Sequence, residues 1–321
     1  MTHPGSPGLS SIPVSLGTWQ FAEEHWGPFD AGAAKALLRL AVTIGIRSFD
    51  TAESYGRGRS EQLIGQTIAT LPGVRIATKS VVRYPHQLRA HLDLSLRRIG
   101  VPAVEDFYIH WTRGGIPLSD AVHWMEEEQA HGRIHRIGAS NLDADSPEDL
   151  SVLPRLQMVQ TGYNLIWRRE EHRIIPHLRR EGVQIAAYSP FAQGLLAHRF
   201  SRTIPATDHR SLTPLFSQPY WDRVYDFQNA YHDICDANSV HPAALALLWL
   251  VQQGVDQIVF GVHSARQLNE LDSGVRELLQ RPAIESILKQ VHAMSDALQP
   301  ALPALANMFG YTPVPLRTHG S

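Results

Sequence analysis

Cysteine is nearly missing from the 321 residues: Cys235 stands alone, so no intrachain disulfide can form and the chain suits a reducing, cytoplasmic setting. Lysine is almost as scarce, with Lys35, Lys79 and Lys289 the only three among 29 basic residues. A Lys at the end of a strand is therefore hard to dismiss as filler. No apolar run reaches the 18 residues of a membrane-spanning helix, and the opening MTHPGSPGLSS lacks the charged and apolar regions of a signal peptide. The formal net charge is −2 with both signs interspersed, which argues against a nucleic-acid or membrane-surface partner. Seventeen His invite a metal reading. The best-spaced pair, His131 and His135, is split by Gly132, which breaks the helix needed to align them, and no Cys or carboxylate completes a ligand set. No metal is expected.

What is present has the make-up of a soluble globular protein, 43% hydrophobic and 19% charged. Residues 1–8 are rich in Pro, Gly and Ser and are expected to be disordered. Two runs flanking Pro13, Leu9 to Ile12 and Val14 to Trp19, predict a hairpin leading into a first core strand, LGTW. From there one unit recurs: apolar run, polar strand end, loop, amphipathic helix. The strand ends fall at Asp50, Lys79, His110, Ser140, Gln160 and Tyr188, between 20 and 31 residues apart. Helices are expected over residues 31–43, 86–99, 117–132 and 169–181, with a capping pattern at Ser146-Pro147-Glu148-Asp149. Adding LGTW in front and DQIVFG behind brings the strands to eight.

Eight parallel units joined by helices close as an α/β fold, the (β/α)8 barrel, here a single domain over residues 9–300 followed by a tail, 301–321. An open doubly wound sheet is the alternative. Its first βα turn would carry Gly-x-Gly-x-x-Gly, whereas this one reads GTWQFAEEHWG. One interval breaks the rhythm: some 70 residues between Tyr188 and Gly261 hold a long loop to about Pro219 and helical stretches near 221–238 and 242–253. A further helix is expected over 283–298. Long loops on a barrel's upper rim more often close over substrates than hold the fold together.

The barrel reading puts Asp50, Tyr55, Lys79 and His110 on one rim. A phenol is too weak an acid to give up a proton at neutrality unless an ammonium lies close, so Tyr55 beside Lys79 is a tunable acid. Asp50 would pair with Lys79 and keep it charged. A His N–H aimed at a developing alkoxide adds about 3 kcal/mol of stabilisation in comparable sites. Together these groups can protonate a carbonyl oxygen, and the hydride must come from a cofactor, since no side chain carries one. Ser140, Asn141 and Gln160 suit a carboxamide, Tyr188 offers a ring for stacking, and Gly261 with a helix start at Ser264 reads as a phosphate site. Each has an ordinary alternative: a His in an apolar strand is commonly a satisfied core residue, Tyr188 can simply pack, and Lys79 can be a structural ion-pair partner. Trp19, Trp26 and Trp111 are candidates for an aromatic substrate wall.

The pieces GTW, FDTAESYGRGRSEQLIG, ATK, YIHW, GRIHRIGASN, VQTGYN, AYSPFAQGLL and a terminal G-x-x-S-x-x-Q-L-x-E stand in this order from about Leu9 to Leu271. Weak singly, in sequence they resemble the aldo-keto reductases, and the long SEQLIG form is similar to the bacterial and channel-subunit branches. The resemblance implies an NAD(P)H-dependent carbonyl reductase with Tyr55 as general acid, Lys79 and Asp50 as its supporting pair, and His110 orienting the carbonyl. By the same match Gly17, Thr18, Trp19 and Asp50 border the cofactor, and Ser140, Asn141 and Gln160 hold its carboxamide. Tyr188 stacks on the nicotinamide, and Ser189, Pro190, Gly194 and Leu195 run along the pyrophosphate. Gly261, His263, Ser264, Arg266, Gln267 and Glu270 face the adenosine end. Two positions depart from the pattern: Val262 and His263 stand where the family often has Arg or Lys for a 2′-phosphate, and Leu271 follows Glu270 where Asn is usual. Arg266, in the same turn, is the expected substitute, so NADPH is preferred with NADH possible. The stretch HRSLTPLF and the tail would set substrate choice. Two other functions fit a Lys on a barrel rim: a Schiff-base lyase or aldolase using Lys79, and a non-enzymatic cofactor-sensing regulatory subunit.

Overall fold

The computed structural model describes residues 7–22, 30–81, 87–111, 117–205, 207–302 and Met308. Eight strands form a closed, all-parallel barrel in chain order: β1 (Val14–Gly17), β2 (Ser48–Asp50), β3 (Arg75–Ser80), β4 (Val104–Ile109), β5 (Ile134–Ser140), β6 (Met158–Gly162), β7 (Gln184–Tyr188) and β8 (Gln257–Phe260). Closure is made by β8 against β1, where Leu16 lies opposite Phe260. The helices are α1 (Ala31–Thr43), α2 (Arg59–Thr67), α3 (Gln87–Ile99), α4 (Leu118–Ala130), α5 (Pro147–Ser151), α6 (Ile174–Glu181), α7 (Trp221–Ala237), α8 (Pro242–Gln252), α9 (Ala265–Leu279) and α10 (Ile284–Leu298). No single helix among the described residues is long and apolar enough to cross a membrane.

Period-two alternation sorts each strand into two faces. Outward positions such as Leu16, Phe49, Ile76, Phe107, Ile137, Val159, Ile185 and Phe260 join the core between barrel and helices. The inner face is different. Only Ala77, Tyr108, Met158 and Ala186 form an apolar cluster there. Polar inner side chains lie above it at Asp50, Lys79 and Gln160, and below it at Ser15, Ser48, Asp106 and Gln257, all buried. Gly138 makes room for that plug: a Cβ on it would come within 2.7 Å of the Tyr108 ring.

Three expectations change. The N-terminal hairpin does not form: Leu9–Ser11 is a single 3-10 turn, and 14–17 is β1 itself, already flanked by β2 and β8. Its edges are taken, so no hairpin partner is needed. The helix expected over 169–181 is broken into a 3-10 turn, Arg169–His172, and α6. Pro176 has no N–H to donate to the carbonyl four residues back, so the first turn cannot run on as an α-helix. Finally, Gln160 is not a strand end but the middle of β6. Of the stretch expected to be disordered, residues 1–6 lie outside those described, as do Trp26 and most of the tail 301–321; Met308, within the tail, is fully buried.

Candidate active site

Asp50 ends β2 facing inward, and Lys79, one residue before the end of β3, faces inward beside it. Lys79 is fully buried. Its Nζ donates to Asp50 Oδ1 at 2.5 Å and to the Thr51 carbonyl at 2.9 Å. The other carboxylate oxygen, Oδ2, accepts from Gln160 Nε2 at 2.9 Å, so β2, β3 and β6 are knotted together at one point. Burial pushes the Lys79 ammonium down, and the Asp50 charge and hydrogen bond push it back up. A Lys so held presents no free amine pair to a carbonyl carbon, which argues against the Schiff-base reading.

Tyr55 arrives from the loop after β2. Three successive left-handed residues, Gly56 (φ 56°), Arg57 (φ 55°) and Gly58 (φ 89°), turn the chain sharply into α2, which is why two of the three are glycine. The phenol ring stands with its centroid 5.2 Å from Lys79 Nζ. His110, just past β4, meets the same ring edge-on at 5.8 Å and stacks on Trp111 at 6.1 Å. Burial, and secondarily the Lys79 charge, hold the His110 imidazole well below its usual range, so at neutral pH it is an uncharged hydrogen-bonding group. Its Nδ1 is buried without a hydrogen-bond partner among the described residues.

Glu53 braces this loop. Its Oε1 accepts from Ser80 Oγ at 2.7 Å and from the Val81 N–H at 2.8 Å, and its Oε2 meets His91 Nδ1 at 2.7 Å. The Glu53 N–H donates in turn to the Lys79 carbonyl. Thr18, Thr51 and Ser60 form a second tie: Thr18 Oγ1 donates to the Asp50 carbonyl at 2.9 Å, Ser60 Oγ to Thr18 Oγ1 at 2.6 Å, and Thr51 Oγ1 to Ser60 Oγ at 2.8 Å.

The next three strands carry the amide-rich wall. Asn141, in the left-handed region at φ 61°, donates from Nδ2 to the His110 carbonyl at 3.1 Å and to Ser140 Oγ at 2.9 Å. Its Oδ1 accepts from Tyr188 OH at 2.8 Å. Gly162 lets the Tyr188 ring lie against β6: a Cβ there would meet the ring at 3.2 Å. After β7 the backbone turns left-handed at Ser189 (φ 54°), Ala192 (φ 48°), Gln193 (φ 58°) and Gly194 (φ 104°). Asn164 secures this loop by donating to the Ser189 carbonyl at 2.9 Å. Pro190 is buried here, and the Leu195 side chain packs into the outer core.

At β8 the Ser264 side chain accepts from the Gln267 N–H at 3.2 Å, and Gln267 Oε1 accepts from the His263 N–H at 2.8 Å. This capping box occupies two of the N–H groups that a phosphate would otherwise use. Gly261 lies beside Gln20 from the other side of the barrel seam; a Cβ on it would approach Gln20 Oε1 at 3.1 Å. Gly17 sits next to Asp50 in register, its carbonyl accepting from Gln20 Nε2 at 2.8 Å, and Trp19 opens the following 3-10 turn. Arg266 is 83% exposed and 3.8 Å from Glu270.

Two further residues of this rim were covered in the sequence only by stretches, Gln193 by the one expected along the pyrophosphate and Arg210 by the one expected to set substrate choice. Gln193 is buried with both side-chain amide atoms unpartnered among the described residues. Arg210 Nη1 donates to the Gln193 carbonyl at 3.2 Å, its guanidinium lies over the Phe200 ring at 4.7 Å, and Asp208 pairs with it at 2.6 Å. Nothing local marks either one, because a loop residue's neighbour across 17 positions has no periodic signature. An orphaned buried amide, glycine-shaped room beside Tyr188 and a row of hydroxyl and amide groups suit a flat carboxamide-bearing heterocycle and an anionic tail.

Comparison with known proteins points the same way. A model described as "Aldo/keto reductase family" matches residues 13–280. The chain is 26% identical over 284 residues to aldo-keto reductase YhdN of Bacillus subtilis (strain 168), covering 82% of this chain and 85% of that one. It is likewise 26% identical over 294 residues to the NADH-specific methylglyoxal reductase of Escherichia coli (strain K12), covering 83% and 90%. Among solved structures, the glycerol dehydrogenase AKR11B4 from Gluconobacter oxydans superposes with a TM-score of 0.77 at 25% identity, covering 92% of this chain and 95% of that one.

Proposed function

Since the chain belongs to the aldo/keto reductase family, an oxidoreductase class that reduces carbonyls with a nicotinamide cofactor, we propose that Tyr55 is the proton donor to the carbonyl oxygen of an aldehyde or ketone. The observation carrying this reading is the convergence of Tyr55, Lys79 and His110, with the Lys79 ammonium 5.2 Å from the phenol ring and the imidazole 5.8 Å from it. An ammonium at that distance favours the phenolate, so the phenol yields its proton more readily as charge builds on the substrate oxygen. Asp50 holds the ammonium in place. His110, kept neutral, donates an N–H to the same oxygen without competing for its proton.

A bound nicotinamide cofactor supplies the hydride. Ser140, Asn141 and Gln160 would hold its carboxamide and Tyr188 its ring, with the 189–194 loop and Arg210 along the phosphates. NADPH is the favoured cofactor, Arg266 taking the 2′-phosphate, with NADH a second possibility. The carbonyl compound enters beside Trp111. Tyr55→Phe tests the assignment: reduction of a carbonyl panel should fall by at least 100-fold while cofactor binding, read by nicotinamide fluorescence, changes less than threefold. Retained turnover would show that the proton comes from elsewhere.

A further inference from the structure

We propose that Asp106, on the barrel floor below the rim site, is a positioning residue that keeps the Lys79 ammonium charged from beneath, as Asp50 does from the side. The inference rests on the reading of Tyr55 as a proton donor that depends on that charge.

Register gives the placement. Ala77 is opposite Asp106 and Lys79 opposite Tyr108, so Asp106 occupies the inner position directly below that of Lys79's partner, on the neighbouring strand. The two levels are roughly 7 Å apart along the barrel, two residues of strand rise. What separates them is the apolar plug of Ala77, Tyr108, Met158 and Ala186, with the Tyr108 hydroxyl donating to Met158 Sδ at 2.7 Å. Charges across such a medium act on one another far more strongly than across water.

The floor is not neutral. Arg136 Nη2 donates to Asp106 Oδ2 at 3.0 Å and Nε lies 2.7 Å from Oδ1. The same Nε is 3.7 Å from Glu105, and Nη1 is spent on Gln184 at 2.8 Å. One guanidinium thus serves two carboxylates, Asp106 inside the barrel and the part-exposed Glu105, which alternation puts on the outward face of β4. Of the three groups, Asp106 is on the strand adjoining Lys79, whereas Arg136 is one strand further.

The remaining groups around Lys79 explain why a second anion matters. Asp50 faces it from β2, Tyr55 from the rim loop, Tyr108 from β4 and His110 from just past β4; both of the latter are held uncharged by burial at neutral pH. Burial works against the ammonium, and Asp50 and then Asp106 work for it. Burial also pushes the Asp106 carboxyl up to about 6, against the pull of Arg136. Its charge is therefore present on the alkaline side, where Lys79 would otherwise begin to lose its proton.

The scarcity of lysine makes a direct test practical. With side-chain NMR of lysine-labelled full-length protein, Lys35, Lys79 and Lys289 give three resonances, two of them internal references. Asp106→Asn should lower the Lys79 titration midpoint by about one pH unit, leave the references unmoved, and shift the alkaline limb of turnover equally; Asp106→Glu should restore both. If a lone Arg136 prevents folding, the double change Asp106→Asn with Arg136→Gln should still lower the midpoint, by about half a unit. A Lys79 curve that coincides with the unmodified protein in a folded variant overturns the proposal. Failure of the Tyr55 reading is distinguishable: turnover would survive Tyr55→Phe, whatever the Lys79 titration does.

Discussion

Arg210 and Arg266 illustrate how differently two arginines of one rim are held. Arg210 is fixed by Asp208, by the Gln193 carbonyl and by the Phe200 ring; Arg266 projects into water from the first turn of α9, with a distant Glu270 as its charged neighbour among the described residues. A preorganised guanidinium over the left-handed loop suits a group common to both cofactors, the pyrophosphate, while an exposed one suits the optional 2′-phosphate. Arg210→Ala should therefore weaken NADPH and NADH by similar factors, about tenfold each. Arg266→Ala should weaken NADPH about tenfold and NADH hardly at all. Fluorescence titration with both cofactors decides; equal losses from Arg266→Ala would place the 2′-phosphate elsewhere. Of this pair the sequence singles out only Arg266, through its place in a short motif. Arg210 lies in a stretch expected to set substrate choice, and its contact with the Gln193 carbonyl is what brings it into the proposed phosphate site.

Among the elements, α9 shows local code read correctly. Ser264 and Gln267 form the reciprocal cap that their spacing predicts. Ser264→Ala should cost about 1 kcal/mol of stability in urea unfolding, with the midpoint lowered and the slope unchanged. The same helix start was also expected to take a phosphate, yet its cap spends the His263 and Gln267 N–H groups internally, leaving the next two residues of the turn for an anion. By contrast, α6 shows where periodicity misleads. Ile174, Ile175 and Leu178 are buried as the pattern demands, but the expected helix is interrupted at Arg173, where Pro176 offers no N–H to the His172 carbonyl, and apolar spacing does not register a missing donor. The turn Leu9–Ser11 fails as a hairpin strand for a non-local reason: the edge it would have joined belongs to β8.

For the molecule as a whole, the barrel floor sets stability against function. Asp106 has an ordinary carboxyl when unfolded and one near 6 when folded. The folded state therefore binds the Asp106 proton more tightly, and the contribution of this group to stability falls as pH rises from about 4 to about 6, by roughly 3 kcal/mol. Replacing the pair, a buried Asp106 and a half-buried Arg136, by apolar side chains of similar size, Asp106→Leu with Arg136→Met, should stabilise the protein by about 1 kcal/mol and flatten that part of the pH–stability curve. Thermal unfolding between pH 4 and 8 measures both. Unchanged stability and an unchanged slope would mean that the pair is already solvated.

Sequence alone determined the class of fold, the motif order and the identities of Asp50, Tyr55, Lys79 and His110. Strand alternation, helix spacing and turn chemistry act over a few residues and leave their mark wherever they act. Only the closed parallel register decided that Gln160 reaches Asp50 across 110 positions, that Gln193 is left unpartnered among the described residues, and that a carboxylate lies beneath Lys79. Those relations depend on which strands adjoin and which side chains share an interior level, and no local period in the chain encodes them.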